Sequence, residues 1–227
     1  MRKTVWLLDA DMTLFDFEKA ERFALREACA RFGMELTQAQ SDWYHEINEA
    51  LWRKLERGET TQEALQIQRF ETFVQGLGAQ IDPRALAKAF VRQLGEGCFL
   101  FPQALSLLQN LHARCRVAIV TNGITQVQKR RLQLSGLAPY VDALVVSQEE
   151  GVSKPDPRIV ERALERLGCA DRTEAALVGD SLTSDMAAAK RARVDGIWYN
   201  PKGLPLPADN PYIVAEIRQL HDLMQFV

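Results

Sequence analysis

The apolar positions of this chain change rhythm twice. Over residues 4–9 they run unbroken, Thr-Val-Trp-Leu-Leu-Asp, as in a strand buried on both faces of a parallel sheet. The next run of that kind, residues 116–121, comes more than a hundred positions later. Between the two, apolar residues recur only at helical spacing. Residues 17–32 read as a helix. Thr37 with Gln40 makes a capping-box pattern that opens a long helix to Arg57, closed by Gly58. Thr60 with Glu63 repeats the pattern for a helix to about Leu77, and Asp82 with Pro83 opens a fourth. No strand candidate lies between Asp16 and Gly97, so this stretch predicts a helical module inserted behind the first strand.

From Phe101 strands and helices alternate. Residues 102–114 read as helix and 116–121 as strand, 126–135 as helix and 143–147 as strand. The order repeats with 158–167 and 175–179, then with 184–192 and 196–199. A short last strand is expected at 213–215 and a terminal helix from Glu216. Residues 200–210, with Pro201, Gly203, Pro205 and Pro207, read as a proline-rich loop. Such alternation predicts an α/β fold, a doubly wound parallel sheet with right-handed crossovers. In that fold ligands sit beyond the carboxyl ends of the strands. Asp9, Thr121, Ser147 with the loop to Lys154, and Gly179-Asp180 fall at those ends.

Composition narrows the partners. The 227 residues are 47% hydrophobic and 26% charged, with net charge −2 and a pI near 6.0. That balance argues against a nucleic-acid polymer or an anionic membrane and for an enzyme of small molecules. The cysteines Cys29, Cys98, Cys115 and Cys169 form no close pair, so reduced thiols are expected. The first apolar run is too short for a signal segment, and no stretch approaches a membrane span. A cytoplasmic protein, monomeric or weakly self-associating, is expected.

The strand ends carry the candidate chemistry. In Asp9-Ala10-Asp11-Met12-Thr13, two carboxylates one residue apart leave a buried strand together. Like charges so close repel, and the pair is stable with a cation between them or a proton on one. Both conditions suit phosphoryl transfer: magnesium takes hard oxygen ligands, one carboxylate can attack phosphorus and the other can handle the leaving-group proton. An Asx-type turn is the structural alternative. Thr121-Asn122-Gly123 can hold phosphate oxygens through a hydroxyl and backbone N–H groups, or can be a permissive strand-to-helix turn. Lys154, next to Pro155, can neutralise an aspartate and a phosphate together, or can be a solvated surface lysine. Asp180 follows Gly179 and would face a cation. Asp185 falls in the first turn of the next helix, where it could reach a metal-bound water or Lys154, or simply complement the helix dipole.

Taken together, these four segments resemble the motifs of the haloacid dehalogenase superfamily: an Asp-x-Asp-x-Thr loop, a Ser/Thr after the second strand, a loop lysine and a Gly-Asp-x(4)-Asp loop. The resemblance spans essentially the whole chain. It implies a Rossmann-like catalytic core at residues 1–15 and 98–227 and an α-helical cap at 16–97. It implies Asp9 as the nucleophile that forms an aspartyl-phosphate and Asp11 as the general acid and base. Magnesium would be held by Asp9, the Asp11 carbonyl and Asp180. Thr121 and the Asn122 N–H would bind phosphoryl oxygens, Lys154 would stabilise Asp9 and the transferring group, Thr13 would support Asp11, and Asp185 the metal shell. Met12 stands where glycine is common. The dehalogenases of the superfamily lack the second aspartate, so Asp11 argues against halide displacement.

The cap segments His45-Glu46-Ile47-Asn48-Glu49-Ala50-Leu51-Trp52, 55–61 and Arg69-Phe70-Glu71 are similar to those of bacterial pyrimidine 5'-nucleotidases. So is the core run from Thr121 to Val152. That likeness implies hydrolysis of small nucleoside monophosphates such as UMP, dUMP and dTMP. Phe15, Phe17, Asn48 and Trp52 are candidates for holding a base, with helix packing as the alternative for Phe17 and Trp52. A phosphatase or mutase of sugar phosphates, or a binding module without activity, are the other readings.

Overall fold

A computed structural model describes residues 2–206 and 211–227. The chain divides into two compact units, Met1–Asp16 with Phe99–Val227, and Phe17–Cys98. In the first unit the described residues form one six-stranded sheet of order β3-β2-β1-β4-β5-β6, parallel throughout. Its strands are β1 (Val5–Leu8), β2 (Arg116–Thr121), β3 (Ala143–Val146), β4 (Ala175–Gly179), β5 (Asp195–Tyr199) and β6 (Ile213–Ile217). The half that comes first in the chain runs from β1 outwards to β3, and the second runs from β4 the other way. β1 therefore pairs with both β2 and β4, and the order reverses at its side, where the crevice of such a sheet lies.

The unbroken apolar run of β1 explains its central place: Val5, Trp6, Leu7 and Leu8 are all fully buried. Val5 and Leu7 point into one core with Ala118, Val120, Val145 and Leu177. The helices α8 (Pro157–Arg166) and α9 (Ala187–Ala192) close that core with Ile159, Val160, Ala163, Ala188, Ala189 and Ala192. Edge strand β6 instead alternates, with Val214 exposed. The chain leaves this unit at Asp16 and re-enters at Phe99, and the Asp16 N–H donates to the Phe99 carbonyl at 2.8 Å.

The second unit contains α1 (Phe17–Ala30), α2 (Gln38–Glu56), α3 (Gln62–Leu77) and α4 (Pro83–Glu96). The Thr37–Gln40 capping box forms as expected, and Asp82 caps α4. Its core is aromatic: Tyr44, Phe70, Phe73 and Phe90 meet with ring centroids 5.2–5.5 Å apart. Beside it lies a buried polar chain. Glu21 accepts from Asn48 Nδ2 at 2.6 Å, and Asn48 Oδ1 accepts from Arg69 Nη1 at 2.9 Å. The Arg69 guanidinium rests over the Phe70 and Phe90 rings. His45 Nδ1 lies 2.6 Å from the other Glu21 oxygen.

Several boundaries differ from the sequence expectation. Thr61, not Thr60, caps α3; its hydroxyl accepts from the Ala64 N–H, three residues ahead, as cap geometry requires. Helix α5 (Ala104–His112) is shorter than residues 102–114. Residues 184–192 are not one α-helix: Leu182–Met186 form a π-helical turn, with the Met186 N–H reaching the Ser181 carbonyl five residues back, before α9 begins. Glu216 lies in β6, and the terminal helix is a 3-10 helix, Leu220–Phe226. In the proline-rich segment the Asn200 side-chain amide donates to the Leu204 carbonyl and accepts from the Leu204 N–H, while residues 207–210 lie outside the described residues. The four cysteines are free, and among the described residues no helix is long and apolar enough to cross a membrane.

The helical unit thus depends on Glu21. Glu21→Ala strands the Asn48 amide and the Arg69 charge in an apolar core, and urea unfolding is expected to show a loss of about 3 kcal/mol. The hydrogen bond that His45 donates to the Glu21 carboxylate raises the His45 pKa above its ordinary 6.5. That contribution is therefore full below pH 6.5 and fades as pH rises through the raised native value. A His45→Gln variant should lose this slope in unfolding measured against pH.

Candidate active site

β1 ends at Leu8, and the chain turns sharply. The Asp9 N–H still donates to Val178 of β4 at 2.9 Å, which fixes Asp9 on the sheet. Beyond it the Ala10 carbonyl accepts from Leu14 and Phe15, curling the loop back. Met12 takes a left-handed conformation at φ 63°, the backbone that glycine adopts without cost.

The buried Asp9 carboxylate faces Lys154, which is only 3% exposed. Lys154 Nζ donates to Asp9 Oδ1, to Asp185 Oδ1 at 2.6 Å and to the Val120 carbonyl at 2.9 Å, so all three ammonium protons are used. Burial alone would lower the Lys154 pKa, but the Asp185 and Asp9 carboxylates outweigh it and raise it. The loop holding Lys154 is clasped by Asn122: its Oδ1 accepts from the Lys154 N–H and its Nδ2 donates to the Lys154 carbonyl, both at 2.8 Å. The Asn122 side chain thus has a structural task apart from that expected of its backbone N–H.

Asp185 is buried by the π-helical turn, and its Oδ2 accepts from the Ser181 N–H at 3.0 Å. Gly179 makes room for it. A Cβ at Gly179 would lie 2.2 Å from Asp185 Oδ2, so no side chain fits there. Carboxylate oxygens of Asp9, Asp180 and Asp185 all lie within 4.8 Å of one another. Burial pushes the Asp180 carboxyl up to about 7, with the Asp185 charge adding to it, and burial likewise raises Asp9 well above the usual range. Three hard oxygen donors against one ammonium leave negative charge uncompensated, and that donor set fits magnesium.

The other predicted residues divide. Thr121 is buried at the end of β2, and its hydroxyl accepts from the Gly123 N–H at 3.1 Å, shaping the turn. Thr13 reaches Asp9 Oδ2 at 3.4 Å, whereas support of Asp11 was expected. Asp11 turns instead to two residues of α6 (Thr125–Leu134) that the motifs did not flag. Gln128 Nε2 donates to Asp11 Oδ2 at 2.7 Å, and Arg131 Nη1 to Oδ1 at 2.6 Å. The sequence does not single them out, because residues 125–134 are polar except at Val127, Leu132 and Leu134. The structure places Phe15 in the core of its own unit and Asn48, 1% exposed, in the polar chain of the helical unit. Neither presents its side chain to solvent. Trp52 is partly exposed on α2, and Phe17 partly exposed at the start of α1.

A family model described as haloacid dehalogenase-like hydrolase matches residues 4–193. The pyrimidine 5'-nucleotidase YjjG of Escherichia coli is 34% identical over 223 residues, covering 98% of this chain and 97% of that protein. The pyrimidine 5'-nucleotidase PynA of Streptococcus pneumoniae is 34% identical over 199 residues, 87% of this chain and 84% of that one. The crystal structure of YfnB from Bacillus subtilis bound to magnesium superposes with a TM-score of 0.91 at 33% identity, covering 99% and 98% of the two chains.

Removing the Lys154 charge leaves three neighbouring carboxylates without an ammonium partner. Lys154→Met is expected to cost about 3–5 kcal/mol in urea unfolding with divalent ions chelated.

Proposed function

We propose that this chain, which belongs to the haloacid dehalogenase-like hydrolases, is a magnesium-dependent phosphomonoester hydrolase that acts through an aspartyl-phosphate on pyrimidine nucleoside 5'-monophosphates. One observation carries the reading. A carboxylate pinned by a buried ammonium (Asp9 with Lys154) stands two residues from a second, more exposed carboxylate, Asp11, at the carboxyl end of the central strand.

Asp9 is held in place by the sheet and by Lys154, so its attack on phosphorus needs little reorganisation. As the phosphorus–ester bond breaks, Asp11 gives its proton to the leaving alkoxide. Asp11 then takes a proton from water, whose oxygen attacks the aspartyl-phosphate and frees Asp9. Thr121 and the Asn122 N–H, on the turn after β2, are the groups proposed for the phosphoryl oxygens. Lys154 offsets charge on Asp9 and on the transferring group. Asp9, Asp180 and Asp185, with the Asp11 carbonyl, are the groups that would hold magnesium, which supplies charge neutralisation at the phosphoryl oxygens when bound. The helical unit serves in this reading as the cap that selects the leaving group, and Trp52 is its candidate base contact.

The pyrimidine preference rests on the two named nucleotidases, each 34% identical over most of both chains. Steady-state turnover of a monophosphate panel with magnesium tests it: dUMP and dTMP should exceed sugar phosphates, and equal or lower rates would overturn the substrate reading. Asp9→Asn should lower kcat by about a thousand-fold or more while the thermal midpoint stays that of a folded chain. Exhaustive EDTA treatment should abolish turnover and added magnesium restore it; activity that survives chelation contradicts the metal role.

A further inference from the structure

We infer that Gln128 and Arg131 are positioning residues: they orient the Asp11 carboxylate and thereby set how fast the leaving group receives its proton. The inference rests on the phosphatase reading above. Every residue in it belongs to the α/β unit.

The geometry is that of a two-sided clamp. Asp11 has one oxygen on Arg131 Nη1 at 2.6 Å and the other on Gln128 Nε2 at 2.7 Å. Bonds of this length to a carboxylate are charge-assisted or nearly so, and two donors on different oxygens remove the freedom of both side-chain torsions. An ionised carboxylate offers about four lone-pair sites, so two stay open for a proton. The clamp can therefore hold Asp11 in both its acid and its base state. Neither donor serves the surface. Arg131 is fully buried and Gln128 is 3% exposed, while Lys129 between them points outward to Glu149.

Both sides of the clamp are braced by the loops that carry the motifs. Gln128 lies against the Gly123 backbone: a Cβ on Gly123 would fall 2.3 Å from Gln128 Nε2 and 2.9 Å from its Cγ. Gly123 is absent from the positive-φ residues, so its missing side chain gives space and not backbone freedom. The Arg131 guanidinium stands over the Phe15 ring, 5.9 Å from its centroid, and the Phe15 carbonyl accepts from the Met12 N–H at 2.8 Å. One short helix thus ties the turn after β2 to the carboxylate after β1. A buried arginine and glutamine on a helix face also need a polar partner to be tolerated there, and Asp11 is that partner.

The test uses two esters that differ in their need for an acid. The nitrophenolate of p-nitrophenyl phosphate leaves without a proton, whereas the alkoxide of dUMP does not. Single-turnover release of each alcohol is measured for the wild type and for Gln128→Ala, Arg131→Met and Gly123→Ala, with magnesium present. Gly123→Ala keeps both donors and only crowds Gln128, so the question survives if Arg131→Met fails to fold. The ratio of the p-nitrophenyl rate to the dUMP rate is expected to rise by about ten-fold or more, up to the ceiling of about 10²–10⁴ that Asp11→Asn defines. In the Asp11→Asn background, Arg131→Met or Gln128→Ala should change the ratio no further. Parallel loss of both rates, no loss of either, or a loss additive with Asp11→Asn overturns the positioning role. A wild type active on both esters with such variants removes this role alone; a wild type inert to both removes the phosphatase reading and this role with it.

Discussion

The Lys154 ammonium, enclosed between Asp9 and Asp185 at the carboxyl end of the sheet, is the interaction on which this site depends. A charge so deeply buried is tolerated only with every proton bonded and with opposite charge in contact. Lys154 meets both conditions through two carboxylates and the Val120 carbonyl. The same contacts serve the aspartates. Without the ammonium, Asp9, Asp180 and Asp185 would stand within 4.8 Å of one another with nothing to offset them. The ammonium cancels part of that charge and leaves the remainder for a divalent cation. A lysine here therefore permits the acidic cluster to fold, while burial still pushes Asp9 and Asp180 towards the protonated form.

Local backbone devices exist to bring these groups together. Asp185 reaches Lys154 because a π-helical turn inserts a residue before α9, and because Gly179 leaves its place empty. Lys154 reaches Asp9 because Asn122, on a different strand end, clasps the lysine's own peptide groups from both sides. The parallel order β3-β2-β1-β4 puts those strand ends side by side, so Asp9 and Lys154, 145 positions apart in the chain, meet directly.

The alternation of apolar runs made the sheet legible: residues 116–121 and 175–179 are β2 and β4 as expected from the sequence, because strands buried on both faces admit no polar interruption. The strand-end rule likewise brought Asp9, Thr121, Lys154 and Asp180 into view. What escaped was whatever depends on the third dimension. The π-helical turn leaves no mark in a pattern that reads as α-helix from Ser184. Thr60 and Thr61 are equivalent on paper, and only the free N–H of Ala64 chooses between them. The partners of Asn48 and Phe15 are likewise set in three dimensions: Asn48 donates to the buried Glu21, and the Arg131 guanidinium stands over the Phe15 ring. Gln128 and Arg131 lay within a run whose likeness to other proteins was visible but whose inward face was not.

That inward face gives α6 a meaning beyond its place in the fold. The buried residues of α6 are Val127, Gln128 and Arg131, and two buried polar side chains are a cost unless polar partners meet them. Asp11 accounts for both. Its position in turn bears on the chemistry. An aspartate that only held a metal through its backbone would need no fixed carboxylate, and an ester whose leaving group departs unaided would need no acid. A carboxylate fixed by two donors and left about one quarter exposed is suited to a leaving group that must be protonated. Halide does not meet that description, and the 5'-oxygen of a nucleotide does.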